Sequence, residues 1–151
     1  MNATYTGISR RTVYILIVED NDDYQRLLDY SIRKNLPQVN VTFSRNVEEA
    51  LAHLAATCKE RLNEFPDLVL LDLHLPELWQ GWLALTEMRT TYARLPVIVM
   101  SNAPHEELID KAYDLGAHSF IAKPFSLNEW EQRLSSLGDY WLNTVRLTKG
   151  C

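Results

Sequence analysis

Short apolar runs alternate along this chain with longer segments whose apolar positions recur every three or four residues. Val13 to Val18, Leu68 to Leu71, Val97 to Met100 and Ser119 to Ala122 read as strands. They are the Val- and Ile-rich kind that a parallel sheet buries on both faces. Val39 to Phe43 alternates more weakly and is expected at the edge of the sheet. Asp22 or Asp23 is expected to cap a helix carrying Tyr24, Leu27, Leu28, Ile32 and Leu36, stopped by Pro37. Asn46 caps a second helix from Val47 to about Leu62, and Trp82 to about Tyr92 forms a third. Pro104 suits the first position of a fourth helix ending near Gly116, and Ser126 caps a fifth. Five strands alternating with five helices predict a doubly wound α/β fold around a parallel sheet.

In such a sheet, ligands bind in the crevice beyond the carboxyl ends of the strands. The residues that end each run therefore carry the chemistry. The first run stops at Glu19-Asp20, the third at Asp72, the fourth at Ser101 and the fifth at Lys123. Three carboxylates, one hydroxyl and one ammonium are expected to converge. That donor set suits Mg²⁺ together with a phosphoryl group, since Mg²⁺ prefers hard oxygen ligands and keeps several waters.

Composition narrows the function classes. At 151 residues, with 46% hydrophobic and 23% charged positions, the chain has the length and balance of one globular domain. A net charge of −5 argues against direct DNA binding, which needs clustered Lys and Arg. No segment reaches the ~18 apolar residues of a membrane helix, and Met1 to Thr12 lacks the apolar stretch of a secretion signal. Cys58 and Cys151 are too few for a disulfide framework, so a reducing cytoplasm is the simplest setting. The four histidines show no metal-ligand spacing.

Four short motifs, in order, resemble the signature of response-regulator receiver domains: Val18-Glu19-Asp20-Asn21, Leu71-Asp72-Leu73-His74-Leu75-Pro76, Met100-Ser101-Asn102-Ala103 and Lys123-Pro124-Phe125. The resemblance runs from about Thr12 to Leu137. It implies the flavodoxin-like receiver fold, with five parallel strands in the order 2-1-3-4-5. It also implies a switch in which a sensor histidine kinase supplies a phosphoryl group to Asp72. By the same resemblance Asp20 and Asp72 bind Mg²⁺ directly, Glu19 does so through water, and His74 contributes its backbone carbonyl. Lys123 and Ser101 contact phosphoryl oxygens, and Ser101 and Phe120 form the switch pair. Phe120 has no hydroxyl, so packing alone decides where it sits. The readout is a repacked face of the fourth helix, fifth strand and fifth helix, directed at a downstream protein. The family also leads one to expect a cis peptide at Lys123-Pro124.

Singly, each residue has an ordinary reading: Asp72 as a turn residue, Ser101 as part of a turn, Lys123 as solvated, Glu19-Asp20 as helix-start charge. Their co-occurrence at matching strand ends carries the assignment. Pro76 to Gly81 is one residue longer than the usual receiver loop, and Trp79 within it reads as a partner-binding residue or a packed loop anchor, with partner contact favoured. Tyr140 to Val145 and the long Asn46–Asp67 segment resemble small stand-alone regulators partnered with bacterial phytochromes, which tend to be homodimers. The expected organisation is a flexible segment over 1–11, a receiver domain over 12–138 and a short tail over 139–151 with no output domain. The expected role is a cytoplasmic signalling switch rather than an enzyme, without DNA or membrane contact. A degenerate receiver acting only as a binding module is the alternative. A flavin or dinucleotide protein would need a Gly-rich loop that is missing here, and an Asp-based phosphatase would want a carboxylate where His74 stands.

Overall fold

The structure, a computed structural model, describes residues 12–124, 126–144 and 151, with the side chains of 142–144 outside that description. The segment expected to be flexible, along with Phe125 and Val145, lies outside the described residues. Strands β1 (Val13–Val18), β2 (Val39–Ser44), β3 (Leu68–Asp72), β4 (Val97–Ser101) and β5 (Ser119–Ala122) form one parallel sheet in the order β2-β1-β3-β4-β5. Helices α1 (Asp22–Asn35), α2 (Val47–Glu60), α3 (Leu78–Thr91), α4 (Glu106–Asp114) and α5 (Leu127–Leu137) connect and follow them. This is the doubly wound order expected. β2 is an edge strand, which explains its weak alternation and partial burial.

Alternate residues of the central strands feed two cores, as a pleat of period two requires. Leu16, Val18, Val69, Leu71, Val97 and Val99 pack under α2, α3 and α4. Ile15, Ile17, Leu70, Ile98 and Met100 pack with Leu28 and Ile32 of α1 and Trp130 and Leu134 of α5. Burying a side chain of this size contributes roughly 1.5–3 kcal/mol, so these layers hold the strand ends in register.

Helix starts are where the sequence reading needs correcting. Asn21, not Asp22 or Asp23, caps α1: its backbone is extended and its Oδ1 accepts from the Tyr24 N–H at 2.8 Å. The two aspartates occupy the first turn, where negative charge suits the helix dipole. Helix α3 begins at Leu78 rather than Trp82, because Gln80 reaches back to accept from the Glu77 N–H at 3.2 Å. Most of the loop expected to be lengthened is therefore helix. Helix α4 begins at Glu106, since His105 takes the cap and its Nδ1 accepts from the Leu108 N–H at 3.3 Å. Asn46 and Ser126 cap α2 and α5 as expected.

Beyond α5 the backbone continues through a wider π-type turn, Gly138–Thr144. Gly138 keeps helical angles, and a Cβ there would fall 2.7 Å from Leu36 Cδ2. Lys123–Pro124 is trans, and Leu75–Pro76 is the cis peptide among the described residues. Intrinsic X–Pro preferences of only about 0.5–1 kcal/mol leave that choice to context. Cys58, near the end of α2, is bonded to Cys151, 93 residues further on. One bridge thus forms where too few cysteines for a framework were counted. The fold brings their Cα atoms to 5.8 Å, a proximity that sequence spacing does not reveal. Among the described residues no helix is long and apolar enough to cross a membrane.

Candidate functional site

The strand order reverses between β1 and β3, and this is where a doubly wound sheet opens a crevice. Glu19 and Asp20 leave the end of β1, and Asp72 is the last residue of β3. Carboxylate oxygens of Glu19, Asp20 and Asp72 all lie within 4.8 Å of one another. Opposite oxygens around an octahedral Mg²⁺ are about 4.2 Å apart. The group thus fits a small divalent cation, with room for one ligand to act through water. The donors are all oxygens, as a hard cation requires.

Lys123, just past β5, closes the cluster. Its Nζ is 2.5 Å from Glu19 Oε2 and 3.3 Å from Asp72 Oδ2. Glu19, Asp72 and Lys123 are all buried, whereas Asp20 is half-exposed at the mouth. Burial pushes the Asp72 carboxyl above its ordinary range, while Lys123 and the His74 N–H pull it back. Glu19 is also raised, first by burial and then by the Asp72 charge, against the pull of Lys123. Two buried carboxylates share one ammonium, so the site carries an excess of negative charge that a cation would relieve.

Backbone contacts hold these groups in place. Asp72 Oδ1 accepts from the His74 N–H at 3.1 Å, and Glu19 Oε1 accepts from the Asn21 N–H at 3.2 Å. The Leu73 N–H bonds to Met100 O at 3.1 Å, and the Lys123 N–H to Ser101 O at 2.8 Å. Gly81 of α3 lies so close to the strand end that a Cβ would sit 2.0 Å from the Leu73 carbonyl oxygen. Ser101 is fully buried at the end of β4, and its Oγ accepts from the Ala103 N–H at 3.2 Å. That leaves its own O–H free to donate. Phe120 lies half-buried on β5, packed on the core beneath α2, α3 and α4. Trp79 is 60% exposed, in the first turn of α3.

Several neighbours escaped the sequence reading. Arg45 after β2 pairs with Asp22 and donates to the Asp20 carbonyl at 3.0 Å, bracing the loop that carries Asp20. The Gln25 side chain bonds to the Glu19 carbonyl. Tyr24 places its ring 4.3 Å from the Lys123 ammonium, and Trp130 Nε1 donates to the Tyr24 hydroxyl at 2.5 Å. Tyr24 had read only as a member of an apolar helix stripe. The cap at Asn21 is the signal that sets Tyr24 in the first turn, beside the acidic pair.

Comparison with known proteins agrees with this geometry. The sequence profile described as "Response regulator receiver domain" matches residues 15–135. The transcriptional regulatory protein KdpE of Staphylococcus aureus is 35% identical over 120 residues, which cover 80% of this chain and 47% of that protein. The chain thus spans about half of that regulator's length. The phosphorylated cyanobacterial phytochrome response regulator RcpA is 31% identical with a TM-score of 0.78, covering 89% of this chain and 97% of its own. The Mn²⁺-bound response regulator Rcp1 of Synechocystis is 26% identical with a TM-score of 0.77, covering 90% and 99%. Similarity therefore extends to small regulators matched along almost their whole length, one holding a divalent metal. A profile match over most of the chain, on a five-stranded sheet with its acidic cluster at the reversal point, makes the chain a member of the response regulator receiver family.

Proposed function

We propose that this receiver domain is a phosphorylation switch in which Asp72 accepts a phosphoryl group from a sensor histidine kinase, with Mg²⁺ bound by the acidic cluster. The observation that carries this reading is the buried Asp72 carboxylate, held between the His74 N–H and the Lys123 ammonium beside two further carboxylates. One Asp72 oxygen forms the bond to phosphorus as the donor's bond to phosphorus breaks. The metal would supply charge neutralisation between the acidic cluster and the incoming phosphoryl oxygens. Asp20 and Asp72 would hold it directly, Glu19 through water, and His74 through its carbonyl.

Lys123 would move from pairing with the Glu19 and Asp72 carboxylates alone to pairing with a phosphoryl oxygen as well. The Ser101 hydroxyl would donate to another, drawing the end of β4 inward. Phe120 would follow by packing, since its register partner Val99 lies on the same strand as Ser101. The altered face of α4, β5 and α5 would then signal by protein contact, in a homodimer or toward a downstream protein, rather than through DNA. The chain's chemistry is self-modification, its phosphorylation and dephosphorylation, rather than turnover of an outside substrate. The short segment 139–151 would serve as a tail to the domain.

Intact-protein mass after incubation with Mg²⁺ and acetyl phosphate tests this. One phosphoryl adduct is expected, absent from Asp72→Asn and absent when the metal is chelated. No adduct with either acetyl phosphate or a phosphorylated histidine kinase would leave a binding module instead.

A further inference from the structure

We propose that Tyr24 is a positioning residue for Lys123, its ring face steering the ammonium onto the Glu19 and Asp72 carboxylates; the inference rests on the phosphorylation reading above. Lys123 approaches the site on a flexible four-carbon stem, and an ammonium has no directional fork to orient it. Two carboxylates define one side of it, at 2.5 and 3.3 Å. The Tyr24 ring, with its centroid 4.3 Å from Nζ, defines another. A cation over a ring face is attracted by the ring quadrupole, and more strongly where water is excluded. Lys123 is only 9% exposed.

The ring is itself held. Its hydroxyl accepts from Trp130 Nε1 at 2.5 Å, and the two rings meet edge to face at 5.7 Å between centroids. Trp130 is fully buried on α5, so the plate under Lys123 is anchored in the core between α1 and α5. Asn21 fixes the Tyr24 backbone from the other end. The ammonium is thus confined before any phosphoryl group arrives, which lowers the cost of ordering it during transfer.

A purely structural Tyr24 makes the opposite prediction for two variants. Tyr24→Phe keeps the ring face and orphans Trp130 Nε1, so a structural role ranks it as damaging. Tyr24→Leu keeps apolar bulk and removes the ring face, so a positioning role ranks it as the slower catalyst. The experiment measures phosphorylation of the full chain by acetyl phosphate with Mg²⁺, separating donor half-saturation from the maximal rate. It also records the NMR shift of the Lys123 ε-methylene protons, which a ring face moves upfield.

Tyr24→Phe is expected within about twofold of the wild-type maximal rate, even if it melts earlier. Tyr24→Leu is expected to be about fivefold slower, the scale of a partly desolvated cation–π contact, with its ε-methylene shift returned to an ordinary lysine position. Equal losses in both variants, or a slower Leu variant with an unmoved ε-methylene shift, would overturn the proposal. So would a Leu variant matching wild type. If the wild type takes no phosphate, the phosphorylation reading fails on its own, and the ε-methylene shift in the three proteins still decides the Tyr24 contact.

Discussion

Two buried aspartates bracket β3, and they do different work. Asp67, just before the strand, is 1% exposed, and Asp72, at its end, is 4% exposed. At the amino end, Asp67 Oδ2 accepts from the Tyr14 N–H at 2.9 Å while its own N–H donates to Tyr14 O at 2.7 Å. This reciprocal pair ties β3 to β1 at the start of both strands. At the carboxyl end, Asp72 is crowded by Glu19 and Asp20 and shares Lys123 with Glu19. Burial is common to both. Among the described residues, like charge is packed against like charge around Asp72. A carboxylate that pairs with backbone stabilises the fold, whereas one that competes for a shared cation stores electrostatic stress that a ligand can relieve.

The largest expected effect sharpens this contrast through the backbone. Gly81→Ala forces a methyl group against the Leu73 carbonyl oxygen, which neither partner can yield without moving α3 off the strand end. A loss of about 3 kcal/mol or more is expected in urea unfolding, with phosphorylation impaired as well. Metal binding comes next. Mg²⁺ at a hundredfold excess over its dissociation constant should stabilise the fold by about 2.7 kcal/mol, by mass action. The Tm rise should vanish with chelator, survive Asp67→Ala and be weakened in Asp72→Asn. Asp67→Ala itself should cost about 2 kcal/mol, because the part-buried Tyr14 N–H loses its side-chain acceptor. Phosphoryl uptake by the variant, measured below its Tm, should stay near wild type.

The strands and the residues at their carboxyl ends were legible because apolar runs of period two or none, ended by charged or hydroxyl residues, leave a strong mark on the chain; the strand order came from the resemblance to receiver domains. Glu19, Asp20, Asp72 and Lys123 meet where those ends predicted. Helix starts were less legible. Asn21 and His105 each won the cap position through a single side-chain hydrogen bond, and Glu77 through a reciprocal capping box with Gln80, against neighbouring candidates. A margin of well under 1 kcal/mol between cap candidates is beyond pattern reading. Contacts between elements were least legible of all. Nothing in the spacing of Tyr24, Trp130 and Lys123 says that they touch, nor that Cys58 meets Cys151. Such contacts exist only once the sheet order has been set, and the aromatic pair satisfied the periodicity of the core without declaring a second role.

The smallest effects separate the two aspartates most cleanly. Asp72→Asn removes one of the crowded charges while Glu19 keeps Lys123 paired, so it should stabilise the metal-free protein by about 1 kcal/mol, where Asp67→Ala destabilises it. That gain should depend on pH, with a sign set by the direction of the shifts. Folding raises the Asp72 and Glu19 carboxyls above their ordinary values of 3.8 and 4.5, chiefly through burial. The folded chain therefore binds these protons more tightly than the unfolded chain does. Below the ordinary carboxylate range both states are protonated and the site imposes no charge penalty. As pH rises through that range the unfolded chain ionises first, so the wild type loses stability until the folded groups ionise as well. Asp72→Asn escapes part of this loss. Its advantage should thus be fullest near neutral pH and shrink steadily as pH falls toward 4, in urea titrations run without metal. An advantage that stays constant across that range would mean that the Asn gains from packing or hydrogen bonding, and the electrostatic account of the crowded end of β3 would have to be abandoned.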